Sequence, residues 1–126
     1  VACAAALATL EFIEQEDLVA RSRTLGEWTL QRLREMQSRH VQIGDVRGLG
    51  LLLNVELVAD RGTRAPAGDL AERVMYGCLS RGLSFKVTMG NVITLAPPLT
   101  ITQDEMAQAL EILEASLTAA LADELF

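Results

Sequence analysis

Apolar residues recur at helical spacing through the N-terminal third of the chain. In the opening segment Ala6, Leu7, Leu10 and Ile13 fall three and four residues apart, which predicts a helix with one apolar stripe. Its alanine content suits a helix lying close against a neighbour. Asp17 is the expected N-cap of a second helix, whose stripe is Leu25, Trp28, Leu33 and Met36. Gly26 interrupts that helix and weakens it by roughly 1 kcal/mol relative to alanine. Trp28 reads as a packing residue of the core or of an interface.

After His40 the texture changes. Gly44, Gly48 and Gly50 punctuate the stretch from Ile43 to Gly50, so the backbone should turn tightly or approach another element there. Leu51 to Leu57 reads as a strand, interrupted by Asn54 and Glu56. Asp60 to Gly68 is a turn-rich loop. Asp69 is the expected cap of a helix reaching about Ser80, with Leu70, Val74 and Cys78 on its inner face and Gly82 as its stop. Two short strands follow, Leu83 to Val87 and Val92 to Ala96, joined through Met89-Gly90-Asn91 as a hairpin. Pro97 and Pro98 end the second, because proline cannot donate to a ladder. Thr102 and Glu105 form a capping box opening a last helix that buries Met106, Leu110, Leu113 and Leu117. The order helix, helix, strand, helix, strand, strand, helix predicts an α+β fold. It is a small antiparallel sheet covered on one face by helices, with an N-terminal helical pair. Residues 1–126 read as one domain, without repeat, low-complexity stretch or linker.

Composition narrows the partners. Half of the residues are apolar and 22% are charged, which suits a soluble globular domain with a real core. The formal charge of −6 and the scattered Arg21, Arg32, Arg47, Arg61 and Arg73 argue against a nucleic-acid partner. The apolar opening is too short to span a bilayer and lacks a signal peptide's basic flank, so no membrane partner is expected. Cys3 and Cys78 make no disulfide framework, and a reducing, cytoplasmic setting follows. With His40 the sole histidine and no close cysteine pair, a protein-built zinc site is not expected. The chain opens at Val1 without an initiator methionine, which implies that it starts inside something longer.

Catalytic chemistry is thin. Gly48-Leu49-Gly50 has no lysine followed by Ser/Thr, so it is not a phosphate loop, and strand-entry packing accounts for it better. Asp45 and Glu56 could pair with arginines; salt-bridged carboxylates outnumber catalytic ones. One histidine supports no Ser/His/Asp or Cys/His constellation. Lys86 is the only lysine, in the strand segment Ser84-Phe85-Lys86-Val87. A Schiff-base lysine must be desolvated and backed by groups that hold a cofactor's phosphate and ring nitrogen. Nothing near Lys86 in the sequence offers these, and it reads as a surface or cleft-edge residue. The residues alone describe an acidic α+β domain without a self-contained active site.

Three segments, in order, resemble the class-III aminotransferases that use pyridoxal 5'-phosphate (PLP, fold type I, the ornithine/4-aminobutyrate type). They are Val1-Ala2-Cys3-Ala4-Ala5-Ala6-Leu7-Ala8, then Ile43-Gly44-Asp45-Val46-Arg47-Gly48-Leu49-Gly50-Leu51, and Asn91-Val92-Ile93-Thr94-Leu95-Ala96-Pro97-Pro98-Leu99-Thr100-Ile101-Thr102. The resemblance implies that residues 1–126 are the C-terminal small (lid) domain, with the large cofactor-binding domain and its lysine upstream of Val1 and absent here. The fragment would then be inactive alone, with no catalytic or cofactor-binding residue of its own, and would not bind PLP stably. The complete protein would be a homodimer passing an amino group from an amine or amino acid to a 2-oxo acid.

Many relatives carry an arginine in the strand before the Pro-Pro pair, gripping the substrate carboxylate. Thr94 holds that position here, and a hydroxyl cannot neutralise a carboxylate. Thr94 and Lys86 are the expected substrate-binding residues, with Met89 to Asn91 as a further part of the cleft. If Thr94 faces substrate, an amine, an ω-amino acid, a lactam or a carboxylate held elsewhere fits better than a simple α-amino acid. Arg47 matches a recurrent family arginine and is expected to bond within the domain. The alternatives are a racemase or decarboxylating transaminase of the same fold, a free-standing binding or regulatory module, and a dimerisation domain.

Overall fold

A computed structural model describes residues 1–123; Glu124–Phe126, the end of the expected single domain, lie outside the described residues. Helices α1 (Ala2–Gln15) and α2 (Leu18–Arg39) lead into strands β1 (Ile43–Leu49), β2 (Leu52–Asp60) and β3 (Ala65–Pro66). Helix α3 (Gly68–Ser80), strands β4 (Lys86–Thr88) and β5 (Val92–Leu95), and helix α4 (Gln103–Asp123) complete the order. The sheet runs β1-β2-β5-β4, with β3 beside β2, and every pairing is antiparallel. The expected α+β class holds, and two strands join the expected order.

Alternation along the strands decides which face is covered. Leu53, Val55 and Leu57 of β2 oppose Gly48, Val46 and Ile43 of β1, and Leu53 and Val55 oppose Leu95 and Ile93 of β5. These side chains share one face and form the core with Leu33 and Met36 of α2, Val74 and Cys78 of α3, and Leu110, Leu113 and Leu117 of α4. Leu33, Ile43 and Leu53 are fully buried, each contributing about 1.5–3 kcal/mol relative to exposure. The stripes expected for α2, α3 and α4 are the buried ones. Trp28 is half-buried, packs against the core, and has the Arg32 guanidinium 5.4 Å from its ring centroid.

Several local expectations are corrected. Ile43–Leu49 is a strand, and its glycines mark close approach to other elements, the second of the two expected outcomes. Its glycines are there because a Cβ at Gly44 would come within 2.7 Å of Val58, and one at Gly48 within 2.6 Å of the Leu52 carbonyl. The turn is Gly50-Leu51 alone, between the paired Leu49 and Leu52, with Gly50 at φ +56°. Gly26 is no tolerated weakness: a Cβ there would collide with the Gly50 carbonyl. Asp17 occupies the N-cap position of α2 but is left-handed, at φ 46°, and makes no side-chain capping bond. Asp69 lies in the first turn of α3, whose N-cap is Ala67, and favours that helix by its charge near the N-terminus. No residue of the apolar stripe of α1 is buried, and α1 joins α2 through left-handed backbone at Asp17. The strand expected at Leu83 to Val87 begins at Lys86 and runs to Thr88. Thr102 and Glu105 do form the capping box, with Glu105 N donating to Thr102 Oγ1 at 3.1 Å and Thr102 N to Glu105 Oε2 at 2.8 Å. Among the described residues no helix is long and apolar enough to cross a membrane.

Candidate functional site

The face of the sheet turned away from the helices carries most of its polar side chains. The pairing sets Arg47 opposite Asn54, Asn54 opposite Thr94, and Thr94 opposite Lys86. One row of four polar residues therefore crosses β1, β2, β5 and β4. Neighbouring members stand one strand spacing apart, about 4.8 Å. The next row sets Asp45 opposite Glu56, and Thr88 opposite Val92.

The two ends of the row differ. Arg47 Nη1 donates to Asp45 Oδ2 at 2.7 Å and to Glu56 Oε2 at 2.9 Å. Those hydrogen bonds, Asp45's first and Glu56's next, raise the guanidinium's pKa and hold it charged. Arg47 thus bonds inside the sheet, as the sequence suggested, and its charge is balanced. Lys86 is exposed on the edge strand and forms no ion pair among the described residues.

Between them Thr94 is half-buried and donates from Oγ1 to Asn54 Oδ1 at 2.8 Å. Thr88 Oγ1 lies 3.1 Å from Thr94 Oγ1 and 3.4 Å from the Val92 carbonyl, so its one proton is shared between those two acceptors. Thr94 therefore has no proton left for another acceptor. The Asn54 amide nitrogen has no hydrogen-bond partner among the described residues and keeps both donors. Strand alternation marks Asn54 as belonging to this face, a signal the sequence carried in the Leu51 to Leu57 run without Asn54 being read as functional.

A groove of about 500 Å³ adjoins the Lys86 end, bounded by Phe85, Lys86, Thr94, Pro97, Ile101 and Met106 among others. Its far wall is the segment after β5, pinned to α2 by Arg21 Nη2, which donates to the Ile101 carbonyl at 2.6 Å. The structure thus brings Thr94 and Lys86 together at one groove. Asn91 is withdrawn from it: buried, it donates from Nδ2 to the Leu57 carbonyl at 2.8 Å. Met89 is 91% exposed at the hairpin tip.

No phosphate cradle is built by the glycine turn. Leu51 N donates to Ser22 Oγ at 3.1 Å, and Gly50 is wedged against Ser22 and Gly26. His40 Nε2 lies 2.9 Å from Glu114 Oε1, whose carboxylate also receives Arg39 at 2.9 and 3.0 Å. This cluster ties the end of α2 to α4. Among the described residues no group of three His, Cys, Asp or Glu side chains could hold a metal ion.

Residues 1–117 match the class-III aminotransferase family. Over 117 residues the chain is 48% identical to an (R)-1-hydroxy-2-aminoethylphosphonate ammonia-lyase of Vibrio splendidus, covering 93% of this chain and 24% of that protein. It is 44% identical over 119 residues to an isoleucine 2-epimerase of Lentilactobacillus buchneri, covering 94% of this chain and 26% of that one. The crystal structure of an amine transaminase from an uncultivated Pseudomonas species, in its PLP-bound form, superposes with a TM-score of 0.89. There the identity is 36%, over 94% of this chain and 27% of the other. The chain spans about a quarter of the length of these curated relatives.

Proposed function

Since this chain belongs to the class-III aminotransferase family, we propose that it serves as the C-terminal small domain of a PLP-dependent enzyme. In that reading it walls and closes the substrate cleft of a homodimer, while a separate large domain carries the cofactor lysine. The complete protein passes the amino group of a small amine or ω-amino acid to a 2-oxo acid. PLP, on which the family depends, supplies the electron sink that lets a bond at the amine-bearing carbon break.

The residues of this chain do not fit PLP itself. Lys86 stands exposed on an edge strand, and the glycine turn has its backbone donor committed to Ser22. Neither offers the desolvated amine or the phosphate cradle that the cofactor needs. What the chain supplies is a surface that orients substrate and excludes water, with Thr94 and Lys86 facing the substrate.

One observation carries the substrate reading: Thr94 has its only proton on Asn54 and brings no charge. A carboxylate on the reacting carbon would find no guanidinium at this place, which favours donors without one there. The test is the full-length protein with PLP and a panel of amines, ω-amino acids and α-amino acids, with and without a 2-oxo acid. Turnover of amines and ω-amino acids that stops without the 2-oxo acid supports the proposal. A strong preference for small α-amino acids, lost in Thr94→Ala, overturns it.

The 48% identity to an ammonia-lyase favours a second reading, elimination of ammonia from an amino-phosphonate. The same panel separates the two, since a lyase releases ammonia with no 2-oxo acid present. Racemisation, the reaction of the 44% identical epimerase, would instead invert an α-amino acid without consuming it.

A further inference from the structure

We propose that Arg21 is a positioning residue: it holds residues 98–101 as the far wall of the groove beside Thr94, and so sets how long a carbon chain the groove accepts. Its side chain does not line that groove and acts from behind the wall. The proposal rests on the reading that the groove meets substrate, and it concerns the fit of the substrate's chain rather than the reaction.

The wall has little backbone support of its own. Residues 96–101 belong to no helix or strand, and Pro97 and Pro98 bring no amide hydrogen. Among the described residues the one backbone bond inside the segment runs from Ile101 N to the Pro98 carbonyl, at 3.0 Å. Arg21 adds two bonds from 79 and 80 residues away. Its Nη2 donates to the Thr100 carbonyl at 3.3 Å and to the Ile101 carbonyl at 2.6 Å, and its charge assists both. Beside the segment lies a small apolar cluster of Leu25 from α2, Leu51 from the hairpin turn and Met106 from α4, with Ile101 packed against it. Ile101 and Met106 also line the groove, so the same two side chains join the cluster to the groove. Ser22, next to Arg21, accepts from Leu51 N at 3.1 Å. One turn of α2 thus places both the hairpin turn and the wall. Leu83, Phe85, Pro97 and Ile101 give the groove a lining that suits hydrocarbon, and its reach depends on where the wall stands.

The experiment uses the full-length PLP-loaded protein and two readouts. The first is the ratio of kcat/KM for hexylamine over propylamine. Should the protein release ammonia or invert amino acids instead, substrates of that reaction differing by the same length replace them. The second is hydrogen exchange, followed by mass spectrometry, in peptides covering residues 96–106. Each methylene taken into the groove is worth about 4-fold in kcat/KM. In Arg21→Met, which keeps the aliphatic stem and loses the donors, the ratio falls about 4- to 16-fold, the worth of one or two methylenes. The change falls on KM rather than kcat, and residues 96–106 exchange faster. Arg21→Lys, which keeps a charged donor, restores most of the ratio. Glu114→Gln, which loosens the other tie between α2 and α4, leaves it unchanged. A ratio or an exchange rate unmoved by Arg21→Met, or an equal fall in Glu114→Gln, overturns the role of Arg21. Wild-type protein that does not distinguish the two lengths, or turns over neither, instead sinks the reading that the groove meets substrate, and the proposal with it.

Discussion

Gly26 of α2 and Gly50 of the β1–β2 turn meet backbone to backbone, with no room at position 26 for even a methyl group. The contact is closed on its other side by Ser22, whose Oγ accepts from Leu51 N at 3.1 Å. It seats the sheet's first hairpin on the second helix and so fixes where the row beginning at Arg47 lies.

Gly26→Ala reverses the sign that helix propensity assigns to it. Alanine favours an isolated helix by roughly 1 kcal/mol. Here the clash with the Gly50 carbonyl forces helix and hairpin apart, at the 1–3 kcal/mol typical of overpacking. A net loss of about 1–2 kcal/mol in denaturant unfolding is expected, and a gain would show that the two elements are not in contact.

Glu114 links α4 to the end of α2 through Arg39 and His40. The hydrogen bond from Arg39 is the main reason its carboxyl lies below the usual 4.5, with burial opposing and His40 assisting. A carboxyl lowered in the folded state stabilises above its unfolded value, and that contribution is lost as pH falls through the folded one. Glu114→Gln should therefore cost up to about 1 kcal/mol at pH 7, since the pair is partly solvated. The difference from wild type should shrink below pH 4.5 in unfolding curves taken at several pH values.

Thr102→Ala removes the side-chain half of the box that opens α4, the bond from Glu105 N to Thr102 Oγ1, and keeps the backbone bond to Glu105. The expected loss is about 1 kcal/mol in thermal or chemical unfolding. Thr102 bonds hold the Glu105 carboxyl below its ordinary value, so wild type should lose this contribution as pH falls through that lowered value. The variant keeps the backbone bond, the larger of the two causes, and should show a reduced step rather than none.

Cys78 should be chemically silent in the native protein. It is fully buried, and burial pushes its thiol up, away from the reactive thiolate. Iodoacetamide labelling followed by mass spectrometry should mark Cys78 only after denaturant is added. Rapid native labelling would mean that α3 and α4 open readily.

Periodicity found the helices because each of α2, α3 and α4 buries a continuous stripe, and Leu33, Val74 and Leu113 were readable from spacing alone. It left β1 open between a turn and a close approach, since Gly44 and Gly48 have no side chain to alternate; the close approach is to Val58 and Leu53, which no local pattern marks. Residue type marks Asp17 and Asp69 as caps, but Asp17 is left-handed at φ 46° and Asp69 lies in the first turn, past the N-cap Ala67. Thr94 and Lys86 came from family resemblance and from lysine being unique. Their adjacency, and the part played by Asn54, needed the strand register, which no local pattern carries.

The three-residue link Met89–Asn91 runs through positive φ at Met89 and Gly90, and so sets which residue of β4 faces which of β5. Lengthening it by one residue would flip the parity of β4 against β5. Val87 would then come to the outer face and Lys86 would turn inward. Which residues the edge strand shows to either side is thus decided at the hairpin tip.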